Sequence, residues 1–122
     1  MSIALVMMTD PGNPEANGRM VHLLKSATTF RDAGEDAAIH FHGASVNWLG
    51  AFVARDNPFT QHYGDLFDEV RAQIAGACNF CSKVRFEQSD AVAELGLEYL
   101  GAEGGHETAA DLVLAGHQVL TF

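Results

Sequence analysis

Basic residues are scarce in this sequence, and their scarcity argues against several classes of partner. The 122 residues include seven lysines and arginines against sixteen aspartates and glutamates, for a formal net charge of −9. Nucleic acids and anionic membrane surfaces are bound through clustered lysines and arginines. No stretch approaches the roughly 20 apolar residues of a membrane-spanning helix, and the apolar run at residues 3–8 is too short for a signal segment. We therefore expect a cytoplasmic protein that binds neither nucleic acid nor membrane.

Cysteine is also rare, since the chain contains only Cys78 and Cys81. The cytosol keeps thiols reduced, so a cysteine pair there is typical of catalysis, redox chemistry or metal binding rather than of a structural disulfide. A glycine-rich phosphate loop is missing as well, because the turn at residues 10–14 lacks the G-x-G-x-x-G pattern. We expect no cofactor.

The hydrophobic pattern predicts strands that alternate with helices in one domain spanning residues 1–122. A hydrophobic content of 48% and a charged content of 19% are typical of a globular chain of this length. Apolar runs predict strands at residues 2–9, 37–42, 73–77, 97–100 and 118–122, although the run at 73–77 also fits the end of a helix. Helix-start signals lie between them, as where Asn13 precedes Pro14. The alternation predicts an α/β fold with a mostly parallel sheet and helices on both faces.

The middle of the chain carries three further expectations. Ser45 follows a break at Gly43 and is expected to cap the next helix. Residues 54–62 are predicted to form an irregular loop, either a lid or a subunit contact. Four aromatic residues are predicted to pack in the core, with a subunit interface as the alternative: Trp48, Phe52, Phe59 and Tyr63.

The motif Ala77-Cys78-Asn79-Phe80-Cys81 predicts a reactive sulfur site. It follows the third apolar run, so Cys78 is expected at a strand end, where ligands and chemistry collect in α/β sheets. A helix that begins there places Cys81 one turn later on the same face. The helix N-terminus, with Lys83 and Arg85 nearby, favours a thiolate. We expect Cys78 to be the more reactive thiol, and the alternative is a pair of small buried hydrophobic residues.

Two histidines supply further candidates. His40 and His42 alternate along the second predicted strand and therefore face the same side. With Cys78 and Cys81 they would form a Cys2His2 metal set, whereas a hydrogen-bonded core position is the alternative for His40. His42, at the strand end, is the better candidate to line the sulfur site, where it would stabilise a thiolate or carry a proton.

Two carboxylates have simpler interpretations. Asp10 is predicted to form the Asp-Pro-Gly turn, a role that is compatible with lining the site. Glu107, which follows His106 at a predicted helix start, is expected to complement the dipole of that helix.

Four segments together have a familiar order and spacing. They are Ala4-Leu5-Val6, Phe41-His42-Gly43-Ala44-Ser45-Val46, Ala77-Cys78-Asn79-Phe80-Cys81 and Gln118-Val119-Leu120-Thr121-Phe122. With them the chain resembles, over nearly its full length, the DsrE/DsrF-like family of small sulfur-relay proteins. The resemblance implies a Rossmann-like three-layer sandwich that assembles into a homo-oligomer, a trimer or a hexamer. It also implies that Cys78 accepts a persulfide sulfur from a protein donor and passes it to a protein acceptor.

The leading functional hypothesis is therefore a sulfur carrier or sulfurtransferase with Cys78, Cys81 and His42 as catalytic residues. In it, Cys81 either resolves the persulfide or only packs in the core. The second hypothesis is a zinc- or iron-binding module that uses Cys78, Cys81, His42 and His40. A third is a C-x-x-C thiol–disulfide redox protein, and a fourth is an interaction subunit without chemistry.

Overall fold

Strand β1, Ser2–Met7, is apolar and buried from Ile3 onward because it lies inside the sheet, with a neighbour on each side. The computed structural model describes residues 2–122. The other strands are β2 (Asp36–Phe41), β3 (Ile74–Cys78), β4 (Tyr99–Leu100) and β5 (Gln118–Thr121). Their order in the sheet is β4-β3-β2-β1-β5, and all of the pairings are parallel. The apolar run at residues 73–77 is therefore a strand.

Helices fill each connection between strands. They are α1 (Pro14–Asp32), α2 (Asn47–Ala54), α3 (Pro58–Val70), α4 (Ser89–Leu95) and α5 (Ala109–Leu114). Short 3₁₀ turns cover Gly43–Val46 and Arg71–Gln73, and a π-helical turn covers Cys81–Arg85. Across the described residues, none of the helices combines the length and the apolar character needed to cross a bilayer.

Two hydrophobic clusters of unequal size cover the faces of the sheet. The larger one joins the sheet to α1, α2, α3 and α4, and it includes Leu5, Met20 and Phe67. The smaller one lies under α5 and joins Val6 to Leu112. Helices therefore cover both faces, and the predicted α/β, Rossmann-like three-layer sandwich is confirmed.

The aromatic residues of the middle segment belong to the larger core. Trp48 and Phe52 are each 1% exposed, and the ring of Phe52 stacks on that of Phe67 with centroids 4.3 Å apart. Phe59 and Tyr63 are partly buried against the same cluster. The prediction of core packing is confirmed, and these side chains give no support to a subunit interface.

The irregular loop expected at residues 54–62 is not formed. Helix α2 ends at Ala54 and α3 already begins at Pro58. The side chain of Asn57 caps α3 by accepting a hydrogen bond from the backbone N–H of Thr60 at 3.0 Å. Asn57-Pro58 is the same helix-start signal as Asn13-Pro14, so the sequence already contained the evidence against a long loop.

Ser45 does not cap a helix. It is buried, and its hydroxyl donates to the carbonyl oxygens of Met7 and His42 at 2.6 and 2.7 Å. The chain makes a 3₁₀ turn after His42 before α2 begins, so the hydroxyl instead ties the end of β1 to the end of β2. This contact holds together the carboxyl ends of β1 and β2, where the candidate site lies.

We expect Asn57→Ala to lower the free energy of unfolding by about 1 kcal/mol, because an N-cap side chain satisfies an otherwise unpaired backbone N–H. Urea unfolding followed by circular dichroism measures the change. Asn17→Ala inside α1 is the matched control and should not destabilise, because alanine is the better helix former. Equal unfolding midpoints for Asn57→Ala and the unmutated chain would contradict the capping role.

Candidate functional site

A cavity of about 300 Å³ lies at the carboxyl ends of the strands. The residues that supply its chemistry are His42, Cys78, Cys81, Arg85, His106 and Glu107. Ligand sites of open α/β sheets lie in this position, because the loops that leave the strands converge there. A larger cavity of about 450 Å³ lies at the amino end of β2 and β3, but it is lined by neither cysteine nor histidine. The smaller cavity is therefore the candidate functional site.

The two cysteines lie side by side at the end of β3. Cys78 is the last residue of the strand, the chain turns helical at once, and Cys81 opens the π-helical turn. Both are free thiols and only 1% exposed. The Nδ1 atom of His106 is 3.1 Å from Sγ of Cys78 and 3.8 Å from Sγ of Cys81. In the tautomer with an unprotonated Nδ1, a thiol–imidazole contact of this kind gives Cys78 a proton acceptor.

Burial changes the expected protonation state of Cys78. Burial raises the pKa of the Cys78 thiol above its ordinary value, and the adjacent Cys81 thiol raises it further. The backbone N–H groups of Phe80 and Cys81 lower this pKa, as expected at a helix start, but burial outweighs them. Burial therefore opposes the thiolate that the helix start was expected to favour. Cys78 needs a base at the moment it reacts, and His106 is in contact with it.

The two nearby cations do not act on Cys78. Lys83 pairs with Glu103, with 3.0 Å between Nζ and Oε2. The guanidinium of Arg85 approaches the other sulfur, that of Cys81, at 3.9 Å. The imidazole of His106 is thus closer to Cys78 than to Cys81, whereas the guanidinium of Arg85 contacts Cys81.

The segment 101–108 carries His106 across the strand ends. The backbone N–H of Phe80 donates to the carbonyl of Gly105 at 3.0 Å, and the N–H of Gly104 donates to Oδ1 of Asn79 at 3.3 Å. The Phe80 ring meets the imidazole of His106 edge to face, with centroids 5.1 Å apart. The two residues between the cysteines therefore hold the segment that supplies the base.

Gly101 sets the position of this segment. Its φ of +87° lies in the region that favours glycine, and a Cβ atom there would lie 2.5 Å from the carbonyl carbon of His106. Any side chain at Gly101 would displace the backbone of His106 and Glu107. The same glycine thus positions residues on both sides of the cavity.

A second group of side chains lies beside the cysteines. Nδ1 of His40 and Nε2 of His42 both lie within hydrogen-bond distance of Oε1 of Glu107, at 2.7 and 2.9 Å. The histidines are 6% and 5% exposed. Burial lowers the pKa of His40, and the Glu107 carboxylate opposes that shift only in part.

Glu107 therefore has a different role from the predicted one. Helix α5 is capped by Thr108 and Asp111, which form a reciprocal capping box. Hydrogen bonds from Thr108 lower the pKa of the Asp111 carboxyl. Asp111 lies in the first turn and complements the helix dipole, so Glu107 is free to pair with His40 in β2 and His42 just after it.

The structure brings Cys78, Cys81 and His42 to one cavity. His42, however, contacts Glu107 through Nε2, and the imidazole in contact with Cys78 belongs to His106. His40 lies in a hydrogen-bonded core position rather than beside the thiols. The predicted metal set of Cys78, Cys81, His42 and His40 does not converge, because the potential ligand atoms separate into two groups.

Sequence reasoning placed His106 at a helix start and missed its contact with the thiol. One signal for this contact was available. His106 follows the fourth predicted strand, and if that strand pairs with the third, the two strand ends lie side by side. Asp10 lies outside the cavity and accepts a hydrogen bond from the amide of Asn47 at 2.9 Å. It does not line the site.

Comparison with known proteins supports the fold and leaves the chemistry open. No known family profile matches the chain, and no curated protein does. Among solved structures, the chain is similar to a conserved protein of unknown function from Bacteroides thetaiotaomicron, with a TM-score of 0.60 and 21% sequence identity. The similarity covers 98% of this chain and 94% of that one. At this identity the likeness bears on the fold alone.

We expect His106→Phe to slow the alkylation of Cys78 by about tenfold, the factor that corresponds to one pKa unit of thiolate availability. Phenylalanine keeps the ring against Phe80 and removes the nitrogen that accepts the proton. Limited iodoacetamide labelling with peptide mass spectrometry reads both cysteines separately. His22→Phe, at an exposed position of α1, is the control. An unchanged rate at Cys78, or faster labelling of Cys81 in the unmutated chain, would contradict the assignment.

Proposed function

We propose that this protein is a sulfur carrier that holds sulfur as a persulfide on Cys78. The observation that carries the proposal is the 3.1 Å contact between Sγ of Cys78 and Nδ1 of His106 in the cavity at the strand ends. The DsrE/DsrF-like resemblance points to the same residue. A nucleophilic cysteine needs a base nearby when burial keeps it protonated, and this pair meets that need.

The loading step transfers one sulfur atom from a donor persulfide. The thiol proton of Cys78 passes to Nδ1 of His106 as the sulfur attacks the terminal sulfur of R–S–SH. The new S–S bond forms on Cys78, the donor S–S bond breaks, and the departing R–S⁻ takes the proton from His106. The products are Cys78–S–SH and R–SH, so the step needs no external oxidant or reductant.

Delivery reverses this chemistry on an acceptor. A thiolate on the acceptor attacks the outer sulfur of the persulfide and restores the Cys78 thiol. Cys81 offers a competing route, because its sulfur and that of Cys78 lie within 4.8 Å of each other. Attack by the Cys81 thiolate on the inner sulfur releases HS⁻ and closes a Cys78–Cys81 disulfide, which a cellular dithiol must then reduce.

The setting of this carrier is part of the same proposal. Free thiols at the site suit a reducing compartment, so we place the protein in the cytoplasm. The donor and the acceptor are proteins that present a persulfide and a thiol. The resemblance also implies assembly into a trimer or a hexamer. This assembly rests on the resemblance alone, because Trp48 and Phe52, which could have formed a subunit interface, lie in the core.

Incubation with inorganic polysulfide should add about 32 Da per sulfur atom to the intact chain. Cys78→Ser should abolish the gain, because a serine hydroxyl does not provide a comparable nucleophile. Cys81→Ser is the matched control, and it should retain the gain for longer because the resolving thiol is removed. Circular dichroism verifies that both variants fold. A Cys78→Ser protein that gains sulfur as the unmutated chain does would overturn the proposal.

A metal-binding module is the second candidate function. The two sulfurs and a ring nitrogen of His106 lie within 4.8 Å of one another, and two thiolates with one imidazole are a ligand set that zinc accepts with a fourth position open. This set replaces the one predicted with His40 and His42. The two functions compete, because a bound zinc ion would occupy the sulfur that a carrier must expose.

Elemental analysis of the protein purified without chelator separates the two candidates. The sulfur-carrier proposal expects little zinc or iron at the cysteines and ready sulfur uptake. The metal module expects bound zinc or iron that is lost in Cys78→Ser, in Cys81→Ser and in His106→Phe. Tightly bound metal that blocks sulfur uptake would favour the metal-binding module over the sulfur carrier.

A further inference from the structure

His40, His42 and Glu107 form a compact group whose role the sulfur chemistry leaves open. The two ring nitrogens and the carboxylate oxygen lie within 4.8 Å of one another. Both nitrogens converge on the same oxygen, Oε1, from distances of 2.7 and 2.9 Å. Two imidazoles and one carboxylate are a ligand set found in zinc enzymes and in non-haem iron enzymes.

The spacing of these atoms is close to that of a metal site. Bonds of about 2.0–2.1 Å in a tetrahedral arrangement separate neighbouring ligand atoms by about 3.3 Å. The observed nitrogen–oxygen distances of 2.7 and 2.9 Å are shorter than this by about 0.4–0.6 Å. An ion therefore requires the carboxylate of Glu107 to move back from both rings, to which Oε1 is now hydrogen-bonded. His40 is held within β2, which pairs with β1 and β3, and His42 follows it directly.

The surroundings of the group also suit an ion. His42 and Glu107 line the cavity, and the side chain of Glu107 is 18% exposed, so one side of the group is open to a further ligand. His117 lies behind His40, with ring centroids 6.5 Å apart. Its Nδ1 atom is buried and has no hydrogen-bond partner within residues 2–122. A buried imidazole nitrogen of this kind could serve as a second-layer donor or acceptor to the site.

We propose that His40, His42 and Glu107 bind a divalent first-row transition metal, zinc or ferrous iron, beside the cavity that the cysteines also line. The site is separate from the one formed by Cys78, Cys81 and His106, and the proposal holds whether or not Cys78 carries sulfur. A bound ion would present an open coordination position to the same cavity. In a purely structural role, Glu107 would instead only connect the loop before α5 to β2 through its hydrogen bonds to the two histidines.

The double variant Cys78→Ser/Cys81→Ser tests the site with Co²⁺ as the probe, because removing both sulfurs leaves only nitrogen and oxygen ligands. We expect saturable Co²⁺ binding with visible ligand-field bands and without a thiolate charge-transfer band, and displacement of Co²⁺ by Zn²⁺. His42→Gln and Glu107→Gln, each in this background, should weaken binding by at least about tenfold. His22→Gln on the exposed face of α1 is the matched control and should bind as its parent does.

If His42→Gln or Glu107→Gln unfolds the chain, the Cys78→Ser/Cys81→Ser variant still tests the proposal by itself. X-ray absorption of its zinc-loaded form should show only nitrogen and oxygen neighbours, with the multiple scattering of imidazole. Absence of saturable Co²⁺ or Zn²⁺ binding in the folded double variant would overturn the proposal. Binding that survives both His42→Gln and Glu107→Gln would overturn it as well.

Discussion

The packing of the segment 101–108 across the carboxyl ends of the strands is the contact on which the candidate site depends. This segment carries His106 to Cys78 and Glu107 to His40 and His42. Asn79 and Phe80, the two residues between the cysteines, hold the segment by hydrogen bonds. Gly101 at its start has no side chain, which leaves room for the backbone of His106. One short loop thus assembles a sulfur group and an imidazole–carboxylate group at one cavity.

Burial and reactivity oppose each other at the sulfur group. Both cysteines are nearly inaccessible, and burial raises the pKa of the Cys78 thiol. A resting thiolate would be open to oxidation, whereas a buried thiol beside an imidazole becomes nucleophilic only when a proton acceptor and a sulfur donor are both in place. The guanidinium of Arg85 lies 3.9 Å from the other sulfur, that of Cys81. The two thiols therefore have different surroundings although they are three residues apart.

The sequence allowed the fold to be predicted well because its signals are local. Continuous apolar runs mark buried parallel strands, and Asn-Pro pairs mark the starts of α1 and α3. The errors were also local, since the cap at Asn57 was overlooked and Ser45 was assigned a capping role. The location of Cys78 and Cys81 at a strand end followed from the same local pattern.

The partners of the site residues were harder to predict because they depend on the order of the strands. His106 is 28 positions from Cys78, and Glu107 is 67 from His40. Their contacts require the end of β4 to lie beside that of β3 and the following loop to turn back over the sheet. No rule of sequence spacing connects such residues. The sequence therefore pointed to His42, at the end of a predicted strand, as the histidine beside the thiol, whereas His106 makes that contact in the structure.

Localisation of transferred sulfur on the unmutated chain tests the central claim most directly. After brief exposure to inorganic polysulfide, a thiol-blocking reagent traps the products, and peptide mass spectrometry assigns each added sulfur to a residue. The thiol–imidazole pair predicts a persulfide on Cys78, with Cys81 trapped as a plain thiol or joined to Cys78 in a disulfide. A persulfide found on Cys81 instead, or on neither cysteine, would contradict the account.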